Sequence, residues 1–175
     1  MMKPIRLLVL GTGGMANTHV MHFSTISEVQ LVAAVDLDIA TVRAFATAGK
    51  HGMCEKPLAE NYAKADEMAT AAEKSGLVNI VNLTYRNVAE VQKARQMVIG
   101  GEIGRVRHIE ASYLQSWLVS KAWGDWATES QWLWRLSTKH GSNGVLGDIG
   151  IHILDFASYG AGLEIGHIFA RLKTY

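Results

Sequence analysis

An apolar run at residues 5–10, Ile-Arg-Leu-Leu-Val-Leu, passes straight into Gly11-Thr12-Gly13-Gly14-Met15-Ala16. This junction constrains the fold more than any other stretch. A continuous apolar run ending at glycine is what a parallel strand covered on both faces requires. In the residues that follow, Met15, His19, Phe23 and Ile26 recur at helical spacing and form one inward stripe. A second apolar run, Leu-Val-Ala-Ala-Val at 31–35, completes a strand–helix–strand unit whose two strands must be parallel.

Residues 11–16 fit the pattern G-x-G-x-x-A. Gly11 permits the tight turn, Gly13 lets backbone amides approach a pyrophosphate, and the small Ala16 allows close packing of helix on strand. With Thr12, Gly14 and Met15 they open a helix whose free N–H groups and positive dipole end suit phosphates. The next strand ends in Asp36, at the expected separation of about 20 to 25 residues. A carboxylate there accepts hydrogen bonds from ribose hydroxyls and repels a 2′-phosphate, which favours NAD over NADP. The plainer reading of Asp36 is a turn residue, or a cap for a helix beginning near Ile39, a role open to Asp38 as well.

With 175 residues, 49% apolar and 19% charged, the composition is that of a soluble, core-forming protein. The net charge is +1 and the basic residues are scattered, so no stripe is present to neutralise nucleic-acid phosphates. The apolar runs fall far short of the roughly 20 residues that cross a bilayer, so neither nucleic acid nor membrane is expected as a partner. The N-terminal apolar stretch is shorter than the ~7 residues of a signal-peptide h-region and reads as a buried first strand. A single cysteine, Cys54, cannot form an internal disulfide, which fits a cytoplasmic location, and its place in a strand-like run reads as a packed thiol.

Further along, a helix is expected from about Ile39 to Ala46, a strand at 52–55, and a helix carrying Leu58, Tyr62, Ala65, Ala69 and Ala72 that stops at Gly76. Residues 77–84 read as another strand and Val88 to Ile99 as a helix closed by Gly100 and Gly101. Beyond this the pattern changes. Residues 105–116 alternate as in a sheet open on one face, an aromatic loop follows, then a helix from about Val145 to Tyr159 and a strand-like run at 165–172. The fold class is therefore α/β: a Rossmann-type doubly wound parallel sheet, then an α+β domain with an open, mainly antiparallel sheet. The boundary falls near residue 84, giving a dinucleotide-binding domain at 1–84 and a partial substrate and oligomerisation domain at 85–175.

Glu55-Lys56-Pro57 closes the 52–55 strand, so Lys56 projects at the carboxyl edge of the sheet, where open α/β sheets bind ligands. Pro57 fixes the local backbone and starts the next helix. Asp148 and His152 are four apart on the 145–159 helix, and Asp155 and Tyr159 continue that face, opposite Leu146, Ile149, Ile153 and Phe156. Periodicity alone leaves two readings open: a solvated face in which Asp148 is a charge partner for His152, and a catalytic one. The catalytic reading matches the oxidation of a secondary alcohol, in which histidine takes the hydroxyl proton, aspartate supports the imidazolium and lysine polarises the oxygen. A metal site at Asp148, His152 and Asp155 is the competing reading, but no cysteine or second nearby histidine completes a dedicated set, so no metal is expected.

Four pieces together resemble the Gfo/Idh/MocA oxidoreductases: GTGGMANTHV at 11–20, AVDLD at 34–38, AGKHGMCEKPLAEN at 48–61 and GSNGVLGDIGIHILD at 141–155. The resemblance implies an NAD(P)-dependent dehydrogenase or reductase acting on sugars, cyclitols or related polyols, assembled as a homodimer or homotetramer. It implies Lys56, Asp148 and His152 as the catalytic trio with His152 accepting the proton, a cis Lys56–Pro57 bond, and Tyr85 and Arg86 facing the cleft. Gly11 to Ala16, Asp36, Glu55 and Lys56 would meet the cofactor, and Lys56, Tyr85, Arg135, Asp148 and His152 the substrate. In the family, further strand and helix units lie between the ribose-binding acid and the EKP motif. Here the two are joined near Ala46 or Thr47, which leads us to expect a chain that is a subset of a longer polypeptide, or a non-catalytic nucleotide-binding relative that lacks the nicotinamide pocket. Trp117, Trp123, Trp126, Trp132 and Trp134 crowd the aromatic loop and read either as a packing cluster or as a substrate wall.

Overall fold

The computed structural model describes residues 3–10, 14–35, 49–122 and 144–173, together with 124, 125, 127–129, 132, 135–137 and 139. Gly11, Thr12, Gly13 and Asp36, the helix expected at 39–46, and Trp123, Trp126 and Trp134 lie outside the described residues. The chain divides into two compact units, one of Met1–His51 with Ala71–Leu77, the other of Gly52–Thr70 with Val78–Tyr175.

In the first unit, strand β1 (Ile5–Leu10), helix α1 (Gly14–Phe23) and strand β2 (Val29–Val35) follow one another as the sequence pattern requires. The strands pair in parallel from Ile5 opposite Val29 to Leu10 opposite Val35, with a register shift between Leu7 and Leu8. In the second unit, β3 (Gly52–Glu55) pairs in parallel with β4 (Asn79–Asn82), in register from Gly52 opposite Asn79 to Glu55 opposite Asn82. Helix α2 (Tyr62–Ser75) joins them. It begins later than expected: Leu58 precedes it, and the Asn61 side chain accepts the Lys64 N–H at 3.0 Å at its start. Each sheet contains two strands among the described residues, so its apolar faces are only partly covered. Ile5, in the run expected to be covered on both faces, is 65% exposed, and Ile80 on β4 is 54% exposed.

A 3₁₀ turn at Thr84–Asn87 leads into α3 (Ala89–Ile99). After the short helix α4 (Trp117–Ser120), the expected 145–159 helix forms in two parts, a π-helical turn at Leu146–Gly150 and α5 (Ile151–Ala161). The π turn shows in the Ile151 N–H, which reaches back five residues to the Leu146 carbonyl. Helices α3 and α5 are tied by polar contacts: Arg95 Nη1 donates to the Tyr159 carbonyl at 2.6 Å and Gln92 Nε2 to the Tyr159 hydroxyl at 3.0 Å.

The strands expected at 105–116 and 165–172 do not form among the described residues. Alternation specifies which side chains share a face, but a strand also needs a neighbour to complete its ladder. Without one, Leu114 and Phe169 stand 90% and 97% exposed. The mainly antiparallel character expected of the second domain is therefore not seen here.

Helix α5 closes at Gly162, whose φ of 64° and ψ of 29° are left-handed, and Leu163 N–H caps the Ser158 carbonyl at 3.0 Å. A Cβ at Gly162 would meet Ile99 only at 3.6 Å, so the objection to a side chain there is conformational. Gly162→Ala is expected to lower stability by about 1 kcal/mol. A lower urea midpoint with an unchanged slope would show it.

Candidate active site

Glu55 ends β3, and Asn82, its register partner on β4, donates Nδ2–H to Glu55 Oε1 at 2.6 Å. The chain then turns through a cis Lys56–Pro57 bond. Lys56 Nζ donates to the Asp148 carbonyl at 2.8 Å and lies 3.4 Å from Asp148 Oδ1. Arg135 Nη1 donates to the same Oδ1 at 2.9 Å. Side-chain exposure is 8% for Asp148, 18% for Lys56 and 29% for Arg135, so the carboxylate is the most enclosed of the three and depends most on its partners. A carboxylate this enclosed is strongly unfavourable alone, whereas hydrogen bonds from two cations offset its desolvation.

His152, one α-helical turn along, meets the Tyr85 ring edge-on, with centroids 4.9 Å apart at 83°. Burial, followed by the nearby Lys56 charge, pushes its imidazole below the ordinary histidine value, against an opposing pull from Asp148, Asp155 and Glu55. Asp148 thus acts on His152 through its charge, while its hydrogen bonds go to Lys56 and Arg135.

A cleft of about 110 Å³ is lined by Lys56, Tyr113, Gln115, Trp117, Trp132, Arg135, Asp148, Ile149 and His152. The Trp117 and Trp132 rings are 5.0 Å apart and tilted by 36°, and the Arg135 guanidinium lies 5.7 Å from the Trp132 ring centroid. Trp117 is 6% exposed and donates its indole N–H to Gln115 Oε1. One wall is therefore aromatic, and the other carries donors and a carboxylate.

The structure brings Lys56, Asp148, His152 and Arg135 to one cleft. Tyr85 packs against His152, with its hydroxyl turned to Tyr113. Arg86, expected at the cleft, instead forms a two-pronged ion pair with Asp155, Nη2 to Oδ1 at 2.6 Å and Nε to Oδ2 at 3.1 Å. Asp155 and Tyr159 share that contact rather than the cleft, since the Arg86 guanidinium also lies over the Tyr159 ring at 4.8 Å. Sequence reasoning missed Tyr113 and Gln115, although the alternation at 105–116 puts both on one face. Cys54 is half-buried, its thiol raised chiefly by burial, and donates to the Glu55 carbonyl at 3.3 Å. Among the described residues, no three His, Cys, Asp or Glu side chains gather as a metal centre.

In the first unit, Gly14, Met15 and Ala16 open α1, the first helix after β1. Among the described residues, no side chain and no backbone beyond its own helix and chain neighbours lies within 4 Å of where a Cβ on Gly14 would stand. A bare backbone at the N-terminus of a helix between parallel strands fits the diphosphate of a dinucleotide.

Residues 36–83 match the family model described as "Oxidoreductase family, NAD-binding Rossmann fold", and residues 91–175 match the GFO/IDH/MocA C-terminal domain. The chain belongs to the Gfo/Idh/MocA oxidoreductase family. Levoglucosan dehydrogenase of Pseudarthrobacter phenanthrenivorans is 34% identical over 132 residues, covering 75% of this chain and 32% of the relative. D-glucoside 3-dehydrogenase of Escherichia coli is 26% identical, covering 98% of this chain and 60% of the relative. Among solved structures, an oxidoreductase domain protein from Kribbella flavida superposes with a TM-score of 0.63 at 31% identity, over 91% of this chain and 44% of that one. The chain thus spans between about a third and 60% of the length of these relatives. The E. coli alignment runs over 219 positions, more than the 175 residues present here, so the relative carries stretches inside the aligned region that have no counterpart in this family member.

A pH dependence follows from the His152 shift. Because its folded value lies below the unfolded one, the unfolded chain binds the proton first, and stability declines as pH falls from the unfolded value near 6.5 through the folded one. Replacing Lys56 with Met removes a positive neighbour and should raise the His152 midpoint. Imidazole NMR titration of the wild type and of Lys56→Met measures both the low midpoint and its rise.

Proposed function

We propose that this protein is an NAD-dependent dehydrogenase that oxidises a secondary hydroxyl of a sugar, cyclitol or related polyol. The observation that carries this reading is the meeting in one cleft of Lys56 with Asp148, 92 residues away in sequence, and with His152. Family membership and the sugar-oxidising relatives support it.

In this reading the dinucleotide sits on the glycine turn, Gly11 to Ala16, with its ribose held by Asp36, and the nicotinamide supplies the hydride acceptor. Lys56 donates a hydrogen bond to the substrate hydroxyl oxygen. His152, kept neutral at physiological pH by its lowered pKa, takes the hydroxyl proton as hydride leaves the same carbon, so the alcohol becomes a carbonyl. Asp148 stabilises the imidazolium through its charge and holds the lysine in place. Glu55 braces the end of β3 beside the cofactor, Arg135 contributes to the substrate wall, and Tyr85 backs the histidine. The proposal places the dinucleotide-binding region at 1–84 and the substrate region at 85–175, in a cytoplasmic homodimer or homotetramer. No helix of the described residues is long and apolar enough to cross a membrane.

The stretches missing relative to the E. coli protein favour one second reading, a nucleotide-binding relative that has lost turnover. Assay with NAD against levoglucosan, methyl glucosides and inositols separates the two. On the enzymatic reading, His152→Ala lowers kcat by about 10²- to 10⁴-fold with little change in NAD affinity. Lys56→Ala behaves similarly, whereas Asp36→Ala weakens NAD by roughly tenfold, about 1.4 kcal/mol, and spares kcat at saturation. Oxidation rate should fall as pH drops through a value below 6.5, where His152 gains its proton. NAD binding without turnover of any of these sugars would establish the second reading.

A further inference from the structure

Proton transfer from the substrate leaves unexplained two tyrosines at the His152 end of the cleft. Tyr113 lines the cleft, and its hydroxyl shares a short hydrogen bond with the hydroxyl of Tyr85. The Tyr85 ring packs edge-on to His152 at 4.9 Å, and both phenol rings meet Phe156, at 5.9 Å and 6.5 Å. The two phenol rings are themselves nearly perpendicular, 83° apart, so the hydroxyls meet while only the Tyr85 ring packs on the histidine.

We propose that Tyr113 binds the substrate, donating its hydroxyl proton to a sugar oxygen beside the reacting carbon, and that Tyr85 is the positioning residue that fixes it by donating to the Tyr113 oxygen. This rests on the dehydrogenase reading above. A phenol has one proton and two lone pairs, so the pair can be bonded in only one sense at a time. If Tyr113 gave its proton to Tyr85, only lone pairs would remain for the cleft. If Tyr85 donates, Tyr113 keeps a proton for the substrate, polarised further by the bond it accepts. The substrate class narrows accordingly. It must carry an acceptor oxygen, hydroxyl or ether, next to the carbinol that is oxidised, as pyranosides and cyclitols do and simple secondary alcohols do not.

The test uses the full 175-residue chain and its variants Tyr113→Phe, Tyr85→Phe and the double variant. Binding of levoglucosan and of methyl glucopyranoside is measured by calorimetry with NAD present, beside NAD affinity and steady-state turnover. Tyr113→Phe is expected to weaken sugar binding and raise KM by about tenfold while kcat stays within about twofold, the pattern of a lost binding contact. Tyr85→Phe should give a smaller loss, about threefold, and the double variant no more than Tyr113→Phe alone, because Tyr85 acts through Tyr113. Unchanged sugar binding in Tyr113→Phe, in a chain that turns these sugars over, overturns the proposal and leaves the dehydrogenase reading standing. Additive losses in the double variant overturn the role given to Tyr85. NAD binding with neither sugar binding nor turnover in the wild type overturns the dehydrogenase reading, and this proposal with it.

Discussion

The Asp148 carboxylate, 8% exposed and shared between Lys56 and Arg135, is the constraint around which the second unit is organised. It joins three places in the chain that no local pattern connects: the end of β3, the aromatic segment and the π turn. Removing either cation would leave an enclosed negative charge with half its compensation, and removing the carboxylate would set two cations side by side. Such an arrangement serves precision more than stability, since apolar residues of similar volume often hold a fold equally well. Here it holds the Lys56 ammonium beside the cleft that His152 also lines.

How much of this was legible follows from the range of each signal. The strands and helices were readable because their periodicities are local, and β3 appears over the four residues assigned to it, Gly52 to Glu55. The meeting of Lys56 with Asp148 was readable only through motif resemblance, since nothing in the spacing of two residues 92 apart announces contact. The strands expected at 105–116 and 165–172 failed for a related reason. Pairing is non-local, and the partner that would complete the ladder cannot be inferred from the alternating segment itself. The same alternation carried usable information that went unused, for it places Tyr113 and Gln115 together on the side that lines the cleft. Resemblance placed Arg86 by sequence position, whereas in the structure the Asp155 carboxylate, its side chain 9% exposed, takes the guanidinium.

A doubly wound sheet hides its strands by adding neighbours on either side and helices on either face. With two strands per sheet among the described residues, side chains such as Ile5, Leu31 and Ile80 keep 65%, 41% and 54% of their surface.

The wide turn at Leu146–Gly150 has a geometric consequence. Winding more residues into one revolution shifts the angular phase of everything downstream. Within the turn itself, Asp148 answers to the ammonium and guanidinium groups. Beyond it, Asp155 and Tyr159 look toward the Arg86 guanidinium of a different neighbourhood. One unbroken helical stretch can in this way serve two microenvironments, with a bracing ion pair at one end and cleft-lining groups at the other, and no loop between them to loosen their alignment.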